Sequence, residues 1–123
     1  MTNCIFCKII KGEIPSYKIY EDENYLAFLD IFPKTEGHCL VIPKKHVEWV
    51  WEVKPLGEYF EVVGKIARHL QQKSGEEVVR SLVYGVEVPH AHVHLLPGKT
   101  DNLKGEKLSG KELEKIQKKF RDN

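Results

Sequence analysis

Long apolar runs are missing from this chain: none approaches the roughly 20 residues of a membrane-spanning helix. The first residues, Met1-Thr2-Asn3-Cys4, lack the basic-then-apolar order of a secretory signal. An excess of one charge is missing too. Nineteen Lys and Arg stand against eighteen Asp and Glu, a formal net charge of +1, which leaves no electrostatic footprint for nucleic acid or an anionic membrane. Cysteine is scarce and odd in number, at 4, 7 and 39. Without an export signal, that count argues against a disulfide framework. Internal repeats and low-complexity tracts are absent. These absences point to a soluble, cytoplasmic protein with neither nucleic acid nor membrane among its partners.

What is present describes one folded domain. The 123 residues are 41% hydrophobic and 30% charged, ordinary globular composition and enough chain for a real core. Ile5–Ile10 reads as a short helical turn stopped by Gly12 and Ile14-Pro15. Tyr17–Glu21 and Tyr25–Asp30 read as strands split by Asp22-Glu23-Asn24, and His38–Ile42 as a third strand closed by Pro43. Leu56, Phe60, Val63, Ala67 and Leu70 recur at helical spacing, which predicts a long helix with that stripe buried and Gly75 as its stop. Val78–Tyr84 and His90–Leu96 are two further strands joined by a short turn from Gly85 to Pro89. Ser109-x-x-Glu112 is a capping box opening a last helix, with Leu113, Ile116 and Phe120 on one side. Paired strands around one long helix predict an α+β domain with an antiparallel sheet of about five strands.

The chemistry concentrates in Pro89-His90-Ala91-His92-Val93-His94-Leu95-Leu96-Pro97. Side chains of a strand alternate faces, so His90, His92 and His94 share one side while Ala91, Val93 and Leu95 share the other. Three imidazoles make a poor core, because every buried ring nitrogen needs a partner. They could hold one catalytic metal. Alternatively the middle ring is a nucleophile and its neighbours orient it and receive charge. Spacing leaves both open. Cys39, inside an apolar run, reads as a small buried hydrophobe, whereas Cys4-x-x-Cys7 is by itself a weak zinc signal. His69, Lys111–Arg121 and their neighbours read as solvated helix faces. Trp49 and Trp51 fit core, a pocket rim or a dimer surface.

These residues resemble the histidine triad (HIT) family, whose motif is His-Φ-His-Φ-His-Φ-Φ with Φ apolar. The resemblance extends to Cys4–Ile10, Gly12-Glu13-Ile14-Pro15, Ala27–Ile31 and Gly37–His46. It covers roughly the first 97 residues, implying a HIT domain over 1–98 and a basic linker with a C-terminal helix over 99–123. It implies a HIT-like fold assembled as a homodimer. It also implies a hydrolase acting at the α-phosphate of a nucleoside phosphoramidate or a dinucleoside polyphosphate, with a nucleoside mono- or polyphosphate or phosphoramidate as its partner and no organic cofactor. His92 matches the nucleophile that forms a covalent nucleotidyl-histidine, its other ring nitrogen bonded to the backbone carbonyl of His90. His94 and His38 match the histidines facing the phosphate. Asp30 matches the ribose-binding acid, and Phe6, Phe28 and Ile31 match the walls around the base. Cys4, Cys7, His46 and His90 match a structural zinc site, one Zn2+ per chain. One stretch departs from the pattern. Tyr84-Gly85-Val86-Glu87-Val88-Pro89 lacks the Asn, Gln and Ser or Thr that similar hydrolases place near the phosphates. That departure predicts slow turnover, and it supports the alternative of a nucleotide-binding regulatory protein with vestigial hydrolysis.

Overall fold

Three five-residue runs, Tyr-Leu-Ala-Phe-Leu, Cys-Leu-Val-Ile-Pro and Val-His-Leu-Leu-Pro, are buried at every position, as strands covered on both faces must be. They are β2 (Tyr25–Leu29), β3 (Cys39–Pro43) and β5 (Val93–Pro97) of a computed structural model that describes residues 3–121. The extreme ends of the two expected segments, 1–2 and 122–123, lie outside the described residues. The shorter β1 (Lys18–Glu21) and β4 (Val79–Leu82) form the edges of a five-stranded, wholly antiparallel sheet in the order β1-β2-β3-β5-β4. Helices α1 (Ile5–Ile10), α2 (Leu56–Ser74) and α3 (Gly110–Phe120) complete the α+β fold, with a 3-10 turn at Val50–Glu52.

The local stop and start signals act as the sequence predicts. Gly75 closes α2 at φ +75°, a left-handed conformation that glycine adopts at little steric cost, and its N–H reaches the Gln71 carbonyl at 3.0 Å. Ser109 and Glu112 make both hydrogen bonds of the capping box.

Other expectations need correction. The stripe expected on α2 is buried only at Val63 and Leu70. Tyr59, Val63, Ile66 and Leu70 face the core, while Leu56 and Phe60 are exposed and Ala67 is half-buried. Tyr59 explains the rotation. It buries its whole ring, stacks on Tyr25, and satisfies its hydroxyl by donating to the Val41 carbonyl at 2.7 Å. His69 is not a solvated residue either: its Nε2 meets the Phe120 carbonyl at 2.6 Å and caps the end of α3. Pairing of β5 with β3 starts only at Val93, opposite Val41, and β4 stops at Leu82. Pro89 has no N–H to give a ladder. His90 bonds back to Val88 and Ala91 donates to the Val47 carbonyl, so His90–His92 precede the regular strand. Trp49 and Trp51 are not core; both are exposed at the 3-10 turn.

The sheet separates two cores. The larger lies against α2 and α3 and contains the fully buried Cys39. The smaller, under α1, joins Cys4, Phe6 and Ile9 to Leu26, Phe28, Leu40 and Ile42. The candidate site residues gather on this second side.

Candidate active site

The alternation of the triad persists upstream of the regular strand. Ala91, Val93 and Leu95 enter the large core. The rings of His90 and His92 instead lie edge-on to Phe6 of α1, with centroids 5.8 and 5.3 Å away. All three triad histidines are buried, and so is His38.

Each ring's proton can be placed from its fixed partners. The His90 carbonyl, 2.8 Å from His92 Nδ1, can only accept. His92 therefore carries its proton on Nδ1 and keeps a lone pair on Nε2. The Lys34 N–H donates to His38 Nδ1 at 3.2 Å, so neutral His38 holds its proton on Nε2 and passes it toward His94 Nδ1 at 3.0 Å. His94 then has its own proton on Nε2. Two neighbouring rings, 5.2 Å apart, thus present a bare nitrogen and an N–H, which is the equipment of a nucleophile and a hydrogen-bond donor to a phosphoryl oxygen.

The same reasoning separates two groups of metal-ligating residues. Cys4, Cys7, His46 and His90 bring one ligand atom each to within 4.8 Å of one another. His90 Nε2 donates to the Pro43 carbonyl at 2.8 Å, which frees Nδ1 to face the Cys4 and Cys7 sulfurs at 3.3 and 3.5 Å. His46 Nδ1 lies 3.2 Å from the Cys7 sulfur. Tetrahedral zinc with N and S ligands spaces them about 3.6 Å apart, and a carbonyl on the far ring nitrogen is the usual orienting partner of a ligating histidine. These four residues fit a zinc ion. Asp30, His38 and His94 also cluster, but ligation through His38 Nε2 would move its proton onto Nδ1, against the Lys34 N–H. His38 and His94 are instead joined by their own 3.0 Å hydrogen bond, with the Asp30 carboxylate 3.6 Å from His38 Nε2. With His90 turned to the cysteines, the three triad rings do not converge on one catalytic metal.

A cavity of roughly 830 Å³ opens over His92, His94 and His38, within the range of small-ligand sites. Asp30 lines it together with Phe6, Phe28 and Ile31. Asp30 is the first residue after β2 and His38 the last before β3, so the sheet delivers both to the cavity mouth. Burial raises the Asp30 carboxyl above its ordinary value, a shift the Phe32 N–H partly opposes. Lys34, Glu87 and Gly105 also line the cavity. Neither Lys34 nor Gly105 carries a sequence signal, since Lys34 reaches His38 through its backbone and Gly105 arrives from the distant C-terminal segment.

Burial, with Lys34 nearby, lowers His38 to about 4. Burial together with His38 and His92 lowers His94 to about 4. Unfolded histidine titrates near 6.5, so between pH 6.5 and 4 the unfolded chain binds protons that the fold refuses. Stability should therefore be complete above pH 6.5 and fall, on the order of a few kcal/mol, as pH drops toward 4. Asp30, shifted upward, offsets part of this. Thermal midpoints at pH 7, 6 and 5 check the slope, and His38→Gln should flatten it.

Comparison with known proteins places this geometry. The family model described as HIT domain matches residues 11–101. "Protein hit" of Bacillus subtilis is 48% identical, the match covering 80% of this chain and 74% of that one. Adenosine 5'-monophosphoramidase HNT1 of Saccharomyces cerevisiae is 37% identical over 76% of this chain and 61% of its own. A solved Zn-bound histidine triad family protein from Mycobacterium smegmatis superposes with a TM-score of 0.81 at 32% identity, covering 98% of this chain and 91% of that chain.

Proposed function

Because this chain belongs to the HIT domain family, we propose that it hydrolyses a nucleotide bond at the α-phosphate through a covalent nucleotidyl-histidine on His92. Nucleoside phosphoramidates and dinucleoside polyphosphates are the candidate substrates. One observation carries the reading: the His92 Nδ1–H bond to the His90 carbonyl leaves Nε2 bare beneath the cavity. That nitrogen forms the bond to phosphorus while the bond to the leaving group breaks, and the leaving atom departs with the electron pair. His94, backed by His38, donates to a phosphoryl oxygen as its charge grows. Water then attacks phosphorus, frees His92 and releases the nucleoside monophosphate. Asp30 accepts from the ribose hydroxyls, and Phe6, Phe28 and Ile31 flank the base.

Cys4, Cys7, His46 and His90 would hold one structural zinc per chain, supplying folding energy and tying α1 to the triad. Reduced cysteines prepared for a metal suit the cytoplasm. A homodimer is supported by the exposed Trp49, Trp51, Leu82, Tyr84 and Val86 and by the unpaired outer edge of β4.

A second reading, nucleotide binding with vestigial hydrolysis, is favoured by the exposed Glu87 on the cavity wall, where a carboxylate repels phosphate. Incubation with an adenosine phosphoramidate and with a diadenosine polyphosphate, followed by product analysis, tests both. AMP should be released, but roughly 100-fold or more slowly than in relatives whose loop supplies an amide or hydroxyl donor. Tight AMP binding without any release would favour the second reading. Neither binding nor release would sink both.

A further inference from the structure

The connection from Leu29 to Cys39 carries Asp30 and His38 at its two ends, so its shape decides where both groups point. Its carbonyls are not taken by another strand. Ile31 accepts from the Leu108 N–H, Pro33 from Gly105, and Lys34 from both Asn102 and Leu103, all at 3.0–3.1 Å. All four donors lie beyond residue 101, where the family match ends. Gly105 also forms part of the cavity wall.

This strap is itself held at its far end. Leu108 leads into the Ser109 cap of α3, Lys119 pairs with Glu36 at 2.6 Å, and Gln117 donates to the Lys18 carbonyl at 2.9 Å. The Phe120 ring is fully buried beneath Gly37, the residue before His38. Gly37 has φ +91°, and a Cβ there would sit 2.7 Å from the ring, so only glycine satisfies both the turn and the packing. The ring therefore fixes the height of the turn that delivers His38.

We propose that the strap Asn102–Leu108, anchored by Phe120, is a positioning element of the nucleoside pocket: it holds the Asp30–His38 connection in the shape that grips ribose and aims His38 at His94. The inference rests on the reading that the cavity takes a nucleotide. It assigns the C-terminal segment to the site, where the sequence predicts a basic linker and a C-terminal helix. A helix serving stability alone would lower the unfolding temperature and leave ligand affinity untouched.

Two measurements on the full-length chain test it. The first is amide exchange of the wild type with and without AMP. The second is AMP affinity, with phosphoramidate KM and kcat, for Phe120→Leu and Leu108→Pro at a temperature where circular dichroism shows each folded. Misplacing catalytic geometry by an ångström can cost about 100-fold. AMP should slow exchange at the Leu103 and Leu108 amides by roughly tenfold, and the variants should raise KM and the AMP Kd by roughly ten- to a hundredfold with a smaller fall in kcat. Wild-type AMP affinity in either folded variant overturns the proposal, whatever the exchange shows. Should neither variant fold, unchanged exchange at Leu108 overturns it. A wild-type protein that neither binds AMP nor hydrolyses the phosphoramidate removes the nucleotide reading and this inference together. Normal binding in wild type and folded variants alike removes only this inference.

Discussion

His92→Ala should leave a folded protein that still binds AMP but turns over its phosphoramidate roughly 10⁴- to 10⁶-fold more slowly, the loss expected when a covalent nucleophile is deleted. The size of the effect follows from the proton arrangement. Of the three rings that line the cavity, His38, His92 and His94, only His92 offers a bare ring nitrogen held by an acceptor on its opposite side. His94 and His38 are committed to each other through a 3.0 Å contact. No neighbour can therefore take over the attack without breaking that contact. Binding should survive because the contacts proposed for the nucleoside, Asp30 and the apolar walls of the cavity, are separate from His92. Rapid acid quenching of the wild type should trap nucleotide on protein, and the variant should trap none. Comparable turnover by wild type and variant would end the covalent mechanism.

The second large effect concerns the metal. Protein purified without chelator should contain about one zinc per chain, the stoichiometry of a single four-ligand site. Burial and then the neighbouring Cys4 push the Cys7 thiol above its ordinary value, so without a cation Cys7 stays protonated and contributes little. Zinc binding needs thiolates and returns their interaction energy as folding energy. Cys7→Ala should lower the thermal midpoint by more than about 10 °C, since about 3 kcal/mol moves a domain of this size by roughly that much. At low temperature kcat should change far less, because His90 still donates to Pro43 and its carbonyl still holds His92. Metal-free protein of unchanged stability would contradict the assignment. A loss of kcat as large as that of His92→Ala would instead indicate a catalytic metal.

Where structure is specified by neighbours along the chain, it was legible in advance. The apolar runs of β2 and β3, Gly75 as a helix stop and the Ser109–Glu112 box all act over a few residues. So does the period of two that divides Ala91, Val93 and Leu95 from the three histidines. What escaped was set over long distances. Tyr59 was not counted in the α2 stripe, because only the Val41 carbonyl, across the core, makes a buried hydroxyl acceptable. His69 looked like a surface residue until α3 brought a carbonyl to it. The strap gave no pattern at all: its contribution is made by backbone N–H groups, which every sequence but proline supplies. The tautomers of the four site histidines belong to the same class, since each depends on a partner that folding delivers.

The sheet order also bears on how the chain is made. β3 lies between β2 and β5, yet roughly three to ten seconds of synthesis separate Pro43 from Val93 at ribosomal rates. During that interval one side of Cys-Leu-Val-Ile-Pro has no partner, and unpaired apolar edges are where nascent chains stick to one another. β5 must then insert between β3 and β4 to complete the sheet. Late insertion of a central strand raises contact order and slows folding relative to a hairpin-by-hairpin sheet of equal size. The strand bearing His94 is thus the keystone of assembly, so truncated or stalled chains ending before it should be aggregation-prone intermediates rather than partly active enzymes.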